Sequence, residues 1–311
     1  MPRRRLRAIV GVLTASLAGL WLFAERGRLL LPSTWRLIRA GGLRRLFNPH
    51  TLNMYIYNRW TDQYLDVFLS FVLPRLGERG KAWLRHRYHG KVLTQELAEA
   101  VVTLDHDIPL QDLEQIIPYA MARDLVLTGP PDIAAYECSC RRARENPCQP
   151  TQVCMIIGQP FVDFHLEHNP HSSRRLTQIE ALALLQAEHE RGHVHTAWFK
   201  ESCLSRFYVI CNCCKCCCAG IEAMVKYGNP LIASSGFVAR VDPALCTSCG
   251  LCVEACPFGA LSLNGSANGA AVVEWAKCMG CGICVGQCPS EAATLRRDER
   301  KGVPMDVRLL S

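Results

Sequence analysis

Charge and hydropathy change abruptly along the first part of the chain. Ala8 to Ala24 carries no charge over seventeen residues, with Arg3, Arg4, Arg5 and Arg7 before it and Glu25, Arg26 and Arg28 after it. That length is at the short end for a membrane-spanning helix. Residues 1–30 are therefore expected to form a membrane anchor, with a cleaved export signal or a buried core helix as the alternatives. Arg36, Arg39, Arg44 and Arg45, mixed with Leu37, Ile38, Leu43 and Leu46, suit either an anionic lipid surface or a solvated basic helix. Tyr55 to Tyr88 predicts one or two helices that stop near Leu76-Gly77 and Arg79-Gly80. Thr94 to Thr128 reads as a small helical unit: an apolar-periodic stretch from Leu97 to Leu104, a helix opened by Pro109, and a short strand over Val126 to Thr128.

The clearest helix is Thr177 to Arg191, where Thr177 and Glu180 spell a capping box, Ile179, Leu182 and Leu185 recur at helical spacing, and Gly192 stops the run. Short strands are expected at Leu261 to Asn264 and Val272 to Trp275, joined by a loop from Gly265 to Gly269. The pattern predicts an α+β protein: a mostly helical, cysteine-rich N-terminal domain, then a small C-terminal domain with short strands. The expected divisions are 1–30 (anchor or signal), 31–130 (helical), 131–235 (cysteine-rich), 236–298 (small C-terminal domain) and 299–311 (tail).

Charge sharpens this picture. Ten arginines against Glu25 alone make residues 1–47 carry +9, so the rest of a chain of net charge +7 is −2. An acidic body without a basic recognition helix argues against nucleic-acid binding. Cysteine changes it more. There are 19, an odd number, mostly in short clusters rather than at the spacings of a disulfide framework, which points to metal thiolates in a reducing compartment.

Cys246, Cys249, Cys252 and Cys256 before Pro257 spell C-x2-C-x2-C-x3-C-P, and Cys278, Cys281, Cys284 and Cys288 before Pro289 repeat it 32 residues later. Zinc is the competing reading of C-x2-C pairs, but a zinc site takes two pairs separated by a spacer, not four cysteines within eleven residues. Gly250 and Gly282 sit where backbone must pass close to inorganic sulfide. Leu251, Val253, Phe258, Ile283 and Val285 are expected to shield the clusters. Residues 236–298 resemble the bacterial 2[4Fe-4S] ferredoxin-type domain. The resemblance implies two clusters with crossed ligands, because the fourth cysteine of each run binds the other cluster. One set is then Cys246, Cys249, Cys252 and Cys288, and the other Cys278, Cys281, Cys284 and Cys256.

Eleven cysteines remain. Cys138, Cys140, Cys148 and Cys154 lie in ECSCRRARENPCQPTQVC, and Cys211, Cys213, Cys214, Cys216, Cys217 and Cys218 in CNCCKCCC, with Cys203 between the two groups. Together with the repeat, these strings resemble an uncharacterised family of iron-sulfur proteins from anaerobic microbes that carry C-x-C-R and CNCCxCCC motifs. Six cysteines in eight residues cannot all bind one metal, since neighbouring side chains diverge. The ten clustered cysteines are candidates for a further iron-sulfur or zinc centre. His193 and His195 are candidates for a nitrogen ligand or proton relay, or are simply favourable at a helix end. Arg141, Arg142 and Arg144 read first as a solvated charge run.

The resulting expectation is an electron carrier with two [4Fe-4S] clusters, serving redox protein partners from the cell membrane with its iron-sulfur domains on the cytoplasmic side; a soluble cytoplasmic protein is the alternative. A reductase acting on disulfides or by two-electron chemistry through the cysteine-rich domain is the second reading, and an iron-sulfur redox sensor a third. No nucleotide- or flavin-binding fingerprint is present.

Overall fold

The computed structural model describes residues 11–19, 25, 30–42, 49–117, 121, 123–265 and 269–310. Residues 11–19 are helical (α1) and exposed, and the rest of the uncharged run at 8–24 lies outside the described residues. Among the described residues no helix is long and apolar enough to cross a membrane. The basic helix α2 (Pro32–Gly41) buries Leu37 and Ile38, and its Arg36 pairs with Asp163 at 2.8 Å. Its apolar residues therefore pack into the protein, which corrects the lipid-facing reading for Leu37 and Ile38.

Helices α3 (Pro49–Arg59) and α4 (Thr61–Val67) run on through a π turn and a 3-10 turn to Arg75. Gly77 caps α5 (Glu78–Arg87), so the break is at Gly77, whereas Arg79-Gly80 lies within a helix. Strand β1 (Tyr88–Val92) leads to α6 (Gln95–Val102), whose N-cap Thr94 accepts from Leu97 N–H. Pro109 does not open a helix; it sits in β2 (Ile108–Asp112), which pairs with β3 (Asp124–Leu127) across a register shift between Ile108 and Gln111. Irregular pairing of this kind is where a strand tolerates a residue without an N–H donor.

The cysteine-rich region is laid on the same sheet. Strands β4 (Ile133–Glu137), β5 (Gln152–Ile157), β6 (Ser173–Leu176), β7 (Val194–Lys200), β8 (Arg206–Cys213) and β9 (Ile232–Ala233) join β1 to β3 in nine strands: seven in the order β6-β4-β5-β8-β7-β1-β9, with the β2-β3 pair attached through β3 to β8. Helices α7 (Ser139–Arg142), α8 (Phe161–His168), α9 (Gln178–Glu190) and α10 (Ala219–Val225) connect them. α9 has its capping box and buries Ala181 and Leu185, while Ile179 is exposed.

The dicluster segment holds β10 (Phe237–Val241), α11 (Leu251–Ala255), β11 (Leu261–Leu263), β12 (Ala271–Val273), α12 (Ile283–Gly286) and β13 (Ala293–Arg297). β10 pairs with β13 and β11 with β12, both antiparallel. The sequence repeat is also a backbone repeat. Positive φ recurs at Ser248 and Gly280, at Gly250 and Gly282, and at Gly259 and Glu291. Only glycine takes such φ without strain. The last residues return to the main body, burying Met305 and Val307 and ending near α6, where Arg308 meets Glu96 at 2.8 Å. The α+β class and the C-terminal dicluster unit hold, and the nine-stranded sheet is what periodicity alone did not reveal.

Candidate metal centres

The two C-x2-C-x2-C-x3-C-P runs fold so that each gives three cysteines to one cavity and one to the other. Cys278, Cys281 and Cys284 line a cavity with Cys256; Cys246, Cys249 and Cys252 line another with Cys288. These are the crossed sets that the resemblance implies. Backbone N–H groups point at sulfur: Ala239 N–H to Cys278 Sγ at 3.4 Å and Ala260 N–H to Cys256 Sγ at 3.3 Å. Donors of this kind tune a cluster's potential.

The two cavities differ in their cover. Phe258 and Ile283 are buried and line the Cys278 cavity. Leu251 is 46% exposed and Val285 36%, so these two do not shield as expected. Cys249 is exposed, whereas Cys256, Cys278 and Cys284 are buried. Burial pushes the thiol of Cys284 up to about 12, with the charges of Cys278 and Cys256 adding to it. Such a sulfur stays protonated until a metal displaces the proton.

The remaining cysteines separate by strand geometry. β4, β5 and β8 are adjacent and antiparallel, so the end of β4, the start of β5 and the end of β8 meet at one sheet edge. Cys138 follows β4, Cys154 lies near the start of β5, and Cys211 and Cys213, two residues apart in β8, share a face. Cys140 and Cys218 complete this group, which lines a chamber with Tyr57, Tyr88, Tyr136, Trp198 and Tyr208. Hydrogen bonds from Cys140 and Cys154 hold the Cys138 thiol well below its ordinary range, and Cys211 and Cys218 do the same for Cys213.

The turn after β8 gathers Cys214, Cys216 and Cys217 into a second group, with Cys214 still touching the chamber wall. Their sulfurs and that of Cys148 all lie within 4.8 Å of one another. Four sulfurs at about 2.3 Å from one tetrahedral ion are about 3.8 Å apart, so this set fits a single ion. The Cys216 and Cys217 sulfurs are 3.1 Å apart, and those of Cys217 and Cys148 3.9 Å. Between Cys214 and Cys216, Lys215 Nζ donates to the Glu254 carbonyl of α11 at 2.9 Å, docking this turn on the dicluster segment. Cys203 is buried apart from both groups, beside Asn58.

Arg141 was misread as part of a solvated run. It is fully buried, with Nη2 donating to Glu188 Oε2 at 3.0 Å and to the Asn212 carbonyl at 3.2 Å, and Nη1 donating to the Pro150 carbonyl. Arg142 is the exposed member, paired with Asp62 and Glu137, and Arg144 is half-buried against Glu222 and the Cys217 carbonyl. Burial pushes the Glu188 carboxyl up, but the hydrogen bond from His193 and the charges of His193 and Arg141 outweigh it and hold it below the usual range. His193 is thus engaged with Glu188 at 2.7 Å, and His195 with Asn212 at 2.6 Å and Gln95 at 2.7 Å. Neither histidine lines a cysteine cavity.

A feature with no sequence signal is an apolar groove lined by Trp60, Tyr64, Phe68, Trp83 and Lys200, which shares Leu65 and Tyr88 with the chamber. Lys200 Nζ lies 3.1 Å from the Tyr57 ring centroid and 4.4 Å from that of Tyr64, and burial pushes its pKa down to about 7.

Paired four-thiol cavities inside a repeated fold define an iron-sulfur domain of the electron-transfer kind. Residues 245–293 match the family of 4Fe-4S dicluster domains. No curated protein matches the chain.

Proposed function

We propose that this protein carries electrons through two [4Fe-4S] clusters, held by Cys246, Cys249, Cys252 and Cys288 and by Cys278, Cys281, Cys284 and Cys256, and delivers them to a cysteine-rich centre or a redox partner. The observation that carries this reading is the pair of cavities, each lined by four cysteines and by no histidine or carboxylate. Bound there, each cluster supplies one-electron transfer at a potential set by the surrounding hydrogen bonds. The chain's own residues arrange the exchange: Cys249 and Leu251 leave one site open towards a partner, while Phe258 and Ile283 cover the other. Lys215 then ties the Cys148 set to the backbone between Cys252 and Cys256. In this reading the Cys148 set binds one zinc or iron ion. Attachment to a membrane through the N-terminus belongs to the same proposal and is supported by the uncharged run and its arginines.

The test is iron and acid-labile sulfide analysis of anaerobically purified protein, with paramagnetic resonance of the reduced form. The dicluster domain alone should account for about eight of each per chain; zinc without sulfide would end the reading. Cys256→Ser should perturb the cluster of the Cys278 run and spare that of the Cys246 run. Cys217→Ser should remove one metal ion and no sulfide. Comparing membrane fractionation of the full chain with that of a chain starting at Leu31 tests the anchor, and identical behaviour would remove it from the proposal.

A second reading, a reductase, is favoured by one observation: the apolar groove meets the thiol chamber at Leu65 and Tyr88. It predicts that reduced protein is reoxidised by a small aromatic disulfide, and that Cys213→Ser abolishes this while leaving dicluster reduction intact.

A further inference from the structure

The six thiols at the edge of the large sheet form a closed neighbourhood rather than two pairs and a remainder. Cys138 interacts with Cys140 and Cys154, and Cys154 with Cys211. Cys211 in turn interacts with Cys213, whose sulfur is 3.1 Å from that of Cys218. Cys218 feels the charge of Cys140, which closes the circuit. All six line one chamber, whose other large wall residues are the aromatic Tyr57, Tyr88, Tyr136, Trp198 and Tyr208.

We propose that Cys138, Cys140, Cys154, Cys211, Cys213 and Cys218 jointly hold a single iron-sulfur cluster with more than four iron atoms. The inference rests on the dicluster reading as the source of reducing electrons, but its evidence is separate. A lone tetrahedral ion accepts four thiolates, so six around one space are too many for it. A [4Fe-4S] cluster likewise takes four cysteines, as each dicluster cavity of this chain provides. The chamber exceeds those cavities in the thiols it gathers: these six, with Cys214 of the neighbouring set also at its wall, against four. Soft thiolates without a nitrogen or carboxylate among them select iron-sulfur chemistry. The protein also places cations beside the set: Arg141 acts on Cys138, and Arg144 on Cys140. Thr196 Oγ1 lies 3.2 Å from Cys213 Sγ and accepts from Trp198 Nε1 at 2.8 Å, which fixes the indole as a wall.

The experiment compares the full chain with Cys138→Ala/Cys213→Ala, both purified anaerobically and reconstituted with ferrous iron and sulfide. Iron, sulfide and zinc are counted and Mössbauer spectra recorded. The double variant should lose more than four iron atoms per chain, with sulfide falling alongside, while the resonance signals of the dicluster domain are unchanged. A loss of four irons or fewer overturns the proposal, as does a full chain whose six cysteines titrate as three disulfides after anaerobic denaturation. Should the double variant not fold, the count on the full chain decides: total iron of twelve or fewer, after subtracting any held by the Cys148 set as measured with Cys217→Ser, overturns it. Absent dicluster signals in an iron-rich full chain would instead refute the dicluster reading and leave this one standing.

Discussion

Replacing Arg141 by methionine removes one partner of a fully buried ion pair. At 3.0 Å from Glu188, with the effective dielectric of about 20 that suits protein interiors, the pair attracts by about 5.5 kcal/mol. Stranding one member of such a pair costs about 3–5 kcal/mol. Glu188 retains Arg191 at 2.6 Å and His193 at 2.7 Å, so the lower end, about 3 kcal/mol, applies. The carbonyls of Pro150 and Asn212 lose a charged donor as well, at about 1 kcal/mol each. The total, about 5 kcal/mol, rivals the whole stability of an ordinary domain, about 5–15 kcal/mol. The assay is anaerobic urea unfolding of the metal-loaded protein, followed by tryptophan fluorescence, for the parent, Arg141→Met, Glu188→Met and the double variant. The double variant should recover about 3 kcal/mol relative to the sum of the singles, because neither charge is then stranded. If Arg141→Met lies within about 1 kcal/mol of the parent, or the coupling is below that, the account of this arginine as a buried tie is wrong.

Gly220→Ala drives a Cβ into Trp198 Cη2, and the indole is held by Thr196, so the variant should cost about 1–3 kcal/mol in thermal unfolding and be rescued by Trp198→Phe. An unchanged midpoint would show that the chamber wall gives way freely. Burial pushes His165 down to about 4 from 6.5. The unfolded chain therefore binds a proton that the folded one refuses across this window, and stability is lost as pH falls through 6.5 towards 4. Between pH 7.5 and 5.5 the parent should lose about 1 kcal/mol more than His165→Gln, measured by urea unfolding at each pH; equal losses would contradict the burial argument. Deleting residues 302–311 uncovers the pockets of Met305 and Val307 and removes the Val303 carbonyl, 2.7 Å from Lys91 Nζ. About 4 kcal/mol of stability should go with it, visible as faster proteolysis of the body, and unaltered proteolysis would refute the docking.

The dicluster unit was legible because its chemistry is local: ligands, turn glycines and prolines recur at fixed spacing, and Gly250 and Gly282 take the positive φ their positions require. The capped helix α9 was legible for the same reason. Pro109 misled because its helical preference at a first position was overridden by pairing with β3, a partner distant in sequence. Arg141 misled because its neighbours Arg142 and Arg144 do reach the surface, and nothing in ECSCRRAR distinguishes the one that turns inward towards Glu188, 47 residues on. The division of CNCCKCCC followed in principle from strand alternation. Which outside cysteine joins which half depended on the order β4-β5-β8, which single-chain periodicity does not contain.

Strand β8 carries a consequence for folding fidelity. Cys211 and Cys213 turn their side chains to one face of the strand, and the side chain of Asn212 between them is bonded to the Val153 carbonyl and His195. A slip of one residue against β7 would exchange them, turning two thiols towards Gln95 and one amide towards the four cysteines left behind. A chain misaligned in this way offers a metal an incomplete set. A metal centre bound there, as proposed above, would act as proofreading: it would reward the one alignment of the central strand in which the sulfurs converge, and a misaligned sheet would remain unmetallated and free to unpair and try again.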